Sequence, residues 1–174
     1  MIHTFEPVYN ENSEILILGT FPSVKSREHG FYYQHPQNRF WKVISALVGW
    51  PIPGTIDEQK RMLLENRIAL WDVIYSCEIN GSSDSSIRNV IPNDIRALLE
   101  KSAIKTIYAN GGKAYELYNR YCNQQTGKKI IKLPSTSPAN ASYSLEKLVA
   151  CWGKEISLSF LLAADGVTFS LDTV

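Results

Sequence analysis

His35, Asn38 and Arg39 stand close together in the run His35-Pro36-Gln37-Asn38-Arg39-Phe40-Trp41-Lys42-Val43-Ile44. An imidazole, an amide and a guanidinium can orient water, hydrogen-bond a polarised substrate or hold an anion. Immediately after them Phe40, Ile44, Leu47 and Val48 recur at helical spacing, and Gly49 before Pro51 ends the run. The polar cluster therefore sits at a helix start, where unpaired backbone N–H groups and a partial positive charge favour an anion or a polarised group. Local chemistry offers a plainer role for each member. Asn is favoured at helix starts simply as a cap, and His35 before Pro36 reads as a hydrogen-bonded structural histidine.

Such a cluster needs a scaffold. Ile15–Gly19 reads as a buried strand running into the loop Gly19-Thr20-Phe21-Pro22-Ser23. Further strands are expected at Arg67–Ile74, Lys105–Ala109 and Lys129–Leu133, all short apolar runs suited to burial on both faces. Between them lie helices. Thr55-Ile56-Asp57-Glu58 has the form of a capping box and opens one through about Glu65. Pro92 and Asn93 open another through about Lys101. Gly111-Gly112-Lys113 leads into a third bearing Ala114, Leu117, Tyr118 and Tyr121. The last begins near Ser142 or Ser144, with Leu145, Leu148, Val149 and Trp152 on one face. Alternation of this kind implies an α/β domain with a parallel sheet covered on both sides. Tyr75 to Ile91 is expected to be the longest loop, and residues 157–174 an extension of unassigned form.

Loops that follow parallel strands gather on one edge of the sheet, where ligands bind. Here they bring together Thr20–Gln37, Tyr75–Ile91, Asn110–Lys113 and Pro134–Ala141. Phe21, Phe31, Tyr32 and Tyr33 offer flat apolar faces able to sandwich a planar ring, although Tyr32 and Tyr33 could equally cover the helix they precede. Ser23, Lys25, Ser137 and Lys113 supply donors and cations suited to phosphates, and Asn140 adds an amide to the Ser135-Thr136-Ser137 loop. Gly111-Gly112-Lys113 lacks the full phosphate-loop pattern, so it is weak evidence for a nucleoside triphosphate.

Composition narrows the class. The chain has 174 residues, 44% hydrophobic, with a formal charge of +1. One domain spanning 1–174 is expected, and near-neutrality argues against a purely electrostatic nucleic-acid binder. Cys77, Cys122 and Cys151 are far apart, and neither they nor His3, His29 and His35 have metal-ligand spacing. No metal site is therefore expected. The first residues hold no apolar signal core and no segment reaches membrane-spanning length, so a cytoplasmic protein is the default expectation.

From roughly Ile15 to Trp152 the chain resembles the uracil-DNA glycosylase superfamily. The decamer from His35 to Ile44 and the segment Ser144-Leu145-Glu146-Lys147-Leu148-Val149 look like those of mismatch-specific uracil-DNA glycosylases. Those enzymes carry a Gly-Ile-Asn-Pro-Gly motif whose Asn orients the attacking water; here Phe21 stands in its place. Gly19-Thr20-Phe21-Pro22-Ser23, the segment Gly30 to Trp41 and the loop Leu133 to Asn140 instead resemble the hypoxanthine (deoxyinosine) DNA glycosylase branch. That likeness implies a three-layer α/β/α fold around a four-stranded parallel sheet. It also implies hydrolysis of the N-glycosidic bond of a flipped deaminated base in DNA, with no cofactor. The branch's catalytic asparagine maps onto Asn38. Phe21, Tyr33 and Phe31 become candidates for holding the base, and Ser23, Lys25, Lys113, Ser137 and Asn140 for contacting DNA. A donor for the O6 of hypoxanthine is sought among backbone N–H groups near Phe31–Tyr33 or an amide. Asp72 and Asp84 are possible water partners, Asp72 reading rather as structural. A uracil or mismatch-specific enzyme is the alternative, and a non-enzymatic damaged-DNA or nucleotide-binding domain the second.

Overall fold

The computed structural model describes residues 1–79 and 86–156; Asp84 and the 157–174 extension lie outside the described residues. Four parallel strands form the central sheet: β1 (Ile15–Gly19), β2 (Ile68–Asp72), β5 (Thr106–Asn110) and β6 (Ile130–Leu133), in the order β2-β1-β5-β6. Strand alternation divides the core. Ile15 and Ile17 point into one apolar cluster, Leu16 and Leu18 into the other, as the two-residue period of a strand requires. On the first face pack α2 (Phe40–Val48), α3 (Ile56–Glu65) and α7 (Leu145–Glu155), through Phe40, Ile44, Met62, Leu63, Leu148 and Trp152. On the second lie α4 (Ile95–Glu100) and α5 (Gly112–Tyr121), through Ile95, Leu98, Ala114 and Leu117. The result is the expected three-layer α/β/α arrangement. Among the described residues no helix is long and apolar enough to cross a membrane.

Helix boundaries follow local chemistry. Thr55 and Glu58 form the capping box of α3, α2 ends on Gly49 in the left-handed region (φ 70°), and Ser144 caps α7. For α4 the start moves. Pro92 belongs to a strand, and Asp94 supplies the cap by accepting from the Ala97 N–H at 3.0 Å. Two short helices were not anticipated: α1 (Val24–His29), capped by Ser23, and α6 (Asn123–Thr126).

Two expectations need correction. The strand expected over Arg67–Ile74 divides, because β2 ends at Asp72 and the Val73 N–H turns to bond the Gly19 carbonyl at 2.9 Å. The expected loop Tyr75–Ile91 contains two strands, β3 (Ile74–Glu78) and β4 (Arg88–Pro92), paired antiparallel. Register shifts between Ile74 and Ser76 and again before Glu78 break the simple alternation that marks a strand. Buried Asn93 anchors the pair by donating its side-chain N–H groups to the carbonyls of Asp72 (2.9 Å) and Ile74 (3.1 Å). The amino terminus is tied in as well. Ile2 bridges Ser76, Val8 bridges Leu70, and the His3 N–H bonds the Tyr75 carbonyl, which carries His3 to the end of β2.

Candidate active site

Strand register sets the floor of the site. Gly19 is paired with Asp72 and follows the Leu18–Ala109 pair, while Asn110 is paired with Leu133. The carboxyl ends of β2, β1 and β5 thus present Asp72, Gly19 and Asn110 side by side. Above them opens a cavity of about 680 Å³, walled by the loops after β1 and β6 and by the start of α2. A volume of that order accommodates a nucleobase with its sugar.

Asn38 lines this cavity. Its Oδ1 accepts the Phe40 N–H at 2.9 Å and the Thr136 hydroxyl at 2.9 Å. Because a backbone N–H can only donate, the bonded atom must be the carbonyl oxygen, and the NH2 group is the free end. Thr136 is itself held twice by Asn110, whose Nδ2 donates to its hydroxyl (2.9 Å) and whose Oδ1 accepts its N–H (3.0 Å). Asn38 thus satisfies the first turn of α2 and also belongs to a cross-linked amide–hydroxyl–amide chain reaching the sheet edge. Capping and cavity-facing roles coexist in one side chain.

Arg39 departs from the anion-binding role its charge suggests. Its guanidinium donates to the backbone carbonyls of Thr136, Ser137, Asn140 and Tyr143, so it braces the loop after β6 against α2. His35 accepts the Gln37 N–H at 3.2 Å and stands at the cavity wall.

The remaining candidates separate. Phe21, Ser23, Lys25, Tyr33 and Ser137 line the cavity with Asn38. Phe21 meets the His3 ring edge-on at 6.1 Å, and the Arg27 guanidinium lies 5.9 Å from its ring centre. Ser23 caps α1, Lys25 pairs with Glu28 at 2.7 Å, and Ser137 accepts the Ala139 N–H. Phe31 is a correction. Its ring is buried in the core, stacked on Trp41 at 6.0 Å, away from the cavity. Lys113 also lies off the cavity, paired with Glu116 at 3.3 Å. Asn140 turns inward, donating to the Ser135 carbonyl at 3.0 Å, and braces its own loop rather than facing the cavity.

Tyr33 is held in the left-handed region (φ 54°), with its ring stacked on Phe40 at 4.1 Å. Non-glycine residues seldom adopt this conformation, and such strain gathers at functional sites. Burial pushes its phenol well above the ordinary range; the Asp72 charge adds to the rise, and the nearby Asn110 amide partly offsets it. It is therefore a neutral hydroxyl.

His3 and Asp72 were not recognised in the sequence as a pair. The His3 ring N–H donates to Asp72 Oδ2 at 2.9 Å, with both side chains almost wholly buried. Sixty-nine residues separate them, and only the bridge that ties the amino terminus to β3 brings them together. Asn110 and Thr136 were likewise missed as a unit, although each stands at the end of an expected strand or in its following loop. Among the described residues there is no group of three or more His, Cys, Asp or Glu able to hold a metal ion.

Known proteins resemble this chain along most of its length. The uracil DNA glycosylase superfamily model matches residues 6–154. A hypoxanthine DNA glycosylase of Methanosarcina acetivorans is 39% identical over 144 residues, covering 80% of this chain and 89% of its own length. One from Methanosarcina barkeri is 37% identical over 156 residues, covering 86% and 94%. A solution NMR structure from Methanosarcina acetivorans, described provisionally as a uracil DNA glycosylase, superposes with a TM-score of 0.73 at 35% identity, over 86% of this chain and 96% of that one. Fold and sequence agree along nearly the whole described chain, which belongs to the uracil DNA glycosylase superfamily and is a DNA glycosylase.

Proposed function

We propose that this enzyme removes hypoxanthine from deoxyinosine in DNA. The observation that carries the reading is the fixed amide of Asn38, its oxygen held by Phe40 and Thr136 and its NH2 group left for the cavity. The named activity of the Methanosarcina relatives supports the same substrate.

The glycosidic bond is out of reach in a stacked duplex, so the nucleotide must swing out into the cavity, at a lower cost when the base is poorly paired. Phe21 offers its ring to the base. As the C1′–N9 bond breaks, electrons move onto the purine and the sugar becomes oxocarbenium-like. A preorganised donor aimed at the leaving base stabilises that charge without reorganising, and the Asn38 NH2 group is such a donor. Water adds its oxygen to C1′, and its proton is balanced by protonation of the departing base. Asn38 does not act as a general base, because an amide does not titrate near neutrality. At the rim, Ser23, Lys25 and Ser137 face the phosphates; Lys113 and Asn140, turned away from the cavity, take no part in this reading.

A 5′-labelled duplex carrying one deoxyinosine, incubated with the enzyme and then treated with alkali, tests the proposal beside uracil and xanthine duplexes. Strand scission at deoxyinosine is expected. The provisional description of the structural relative favours uracil as a second reading, and scission confined to the uracil duplex would establish it instead.

A further inference from the structure

Two polar atoms stand together at the cavity floor, one of them a buried orphan. The Tyr33 hydroxyl is buried and has no well-formed hydrogen bond among the described residues, the Asn110 amide standing near it. His3 holds Asp72 Oδ2, and the other carboxylate oxygen, Oδ1, lies beside Gly19. Both atoms crowd the same point, since a Cβ placed on Gly19 would meet Asp72 Oδ1 at 2.2 Å and Tyr33 Oη at 2.8 Å. Gly19 is therefore the residue that leaves them room. Buried polar atoms are nearly always paired, and an orphan calls for a reason. Here a strained backbone holds the orphaned Tyr33 hydroxyl, and the buried His3–Asp72 pair holds Oδ1, on the same side of the cavity.

Their chemistry is complementary. A carboxylate oxygen only accepts, and a neutral phenol can donate. Deamination of adenine converts the N1 lone pair and C6 amino group into an N1–H beside a C6=O. The new edge requires one acceptor and one donor next to each other. Adenine would instead set its N1 lone pair against the carboxylate, which is repulsive. The amide expected to reach O6 is not available from Asn110, which is engaged with Thr136.

We propose that Asp72 Oδ1 and the Tyr33 hydroxyl are the acceptor–donor pair that reads the N–H/C=O edge of the flipped base, with His3 as the positioning residue that turns Oδ1 towards it. This rests on the deaminated-base reading above. Uracil carries the same edge at N3–H and C4=O, so the pair selects deaminated bases as a class.

The test is binding, so that it is separated from chemistry. Duplexes carrying hydrolysis-resistant 2′-fluoro-2′-deoxyinosine or 2′-fluoro-2′-deoxyadenosine are titrated with wild-type protein, Tyr33→Phe and Asp72→Asn. Wild type should prefer the inosine duplex by tenfold or more, and each variant should bring that ratio close to one, Tyr33→Phe by weakening the inosine duplex alone and Asp72→Asn also by relieving the repulsion of adenine N1. Tyr33→Phe keeps the ring on Phe40 and should melt no lower than wild type, which makes it decisive even if Asp72→Asn folds poorly. An inosine preference that survives Tyr33→Phe, or a wild-type ratio of one, overturns the proposal. Failure of the substrate reading appears separately, as absence of scission at natural deoxyinosine by the wild-type enzyme.

Discussion

The two sides of the cavity floor differ in how their polar groups are satisfied. Beneath Asn38, at the ends of β5 and β6, Asn110 and Thr136 bond each other twice and the Thr136 hydroxyl fixes the Asn38 oxygen. Beside the ends of β1 and β2, the buried Tyr33 hydroxyl has no hydrogen-bond partner among the described residues, and Asp72, held by His3 through Oδ2, keeps Oδ1 next to it. A saturated network is rigid and holds a dipole where charge will develop. Unsatisfied buried groups raise the energy of the empty site and recover it on meeting a matching ligand. The first arrangement suits chemistry and the second recognition, and substitutions on the two sides should therefore fail in different ways.

The largest effect is expected at the saturated side. Asn38→Ala removes the donor aimed at the leaving base, and single-turnover release of hypoxanthine should fall by roughly 10²–10³-fold. Losing the bond to the Phe40 N–H should cost only about 1 kcal/mol of stability, measurable by denaturant titration. Near-native release by the folded variant would reduce Asn38 to a cap.

Thr136→Val tests whether the network matters beyond Asn38 itself. The substitution preserves the buried shape but leaves Asn38 Oδ1 and Asn110 Nδ2 each one partner short. Stability should drop by about 1–3 kcal/mol. Release should slow by about tenfold, the equivalent of roughly 1.4 kcal/mol in the barrier, because the amide is no longer held in one orientation. A stability loss with no change in rate would show that Thr136 supports the fold and not the alignment of Asn38.

Phe21→Asn probes the wall between the two sides. Removing the ring should weaken hypoxanthine release by up to about tenfold, in line with the modest free energy of an aromatic contact. The new amide should also introduce some uracil excision. Unimpaired hypoxanthine release would mean that Phe21 is not the surface on which the base rests.

What the sequence disclosed follows the same division. The parallel sheet was legible because Ile15–Leu18 and its sister strands are apolar on both faces, a pattern that burial between two helical layers demands. The place of Asn38 at a helix start was legible from one short motif, whereas a catalytic role for it came only from the family resemblance. The antiparallel β3–β4 pair was not, since its register shifts and polar residues erase the alternation. Phe31 and Tyr33 could not be separated by type; the positive φ of Tyr33 and the stacking of Phe31 on Trp41 decide which side chain reaches the cavity. The His3–Asp72 pair depends on a bridge between chain segments far apart, and no local spacing announces it.

The smallest effect concerns DNA itself and contrasts two lysines. Lys25 stands at the cavity rim on α1, whereas Lys113 lies off the cavity at the start of α5. Both pair with a glutamate three residues on, and such exposed pairs contribute little to stability, so neither substitution should unfold the protein. Phosphate contacts release condensed counterions, and each one adds about one to the slope of log affinity against log salt. Lys25→Ala should therefore lower that slope by about one on a duplex carrying the hydrolysis-resistant base, while Lys113→Ala leaves it unchanged. A loss of slope at Lys113 equal to that at Lys25 would extend the DNA track across the β5–α5 loop, and a loss at Lys113 alone would move it there. The inosine-to-adenosine affinity ratio should stay constant in both variants, because phosphate contacts position the duplex without reading the base.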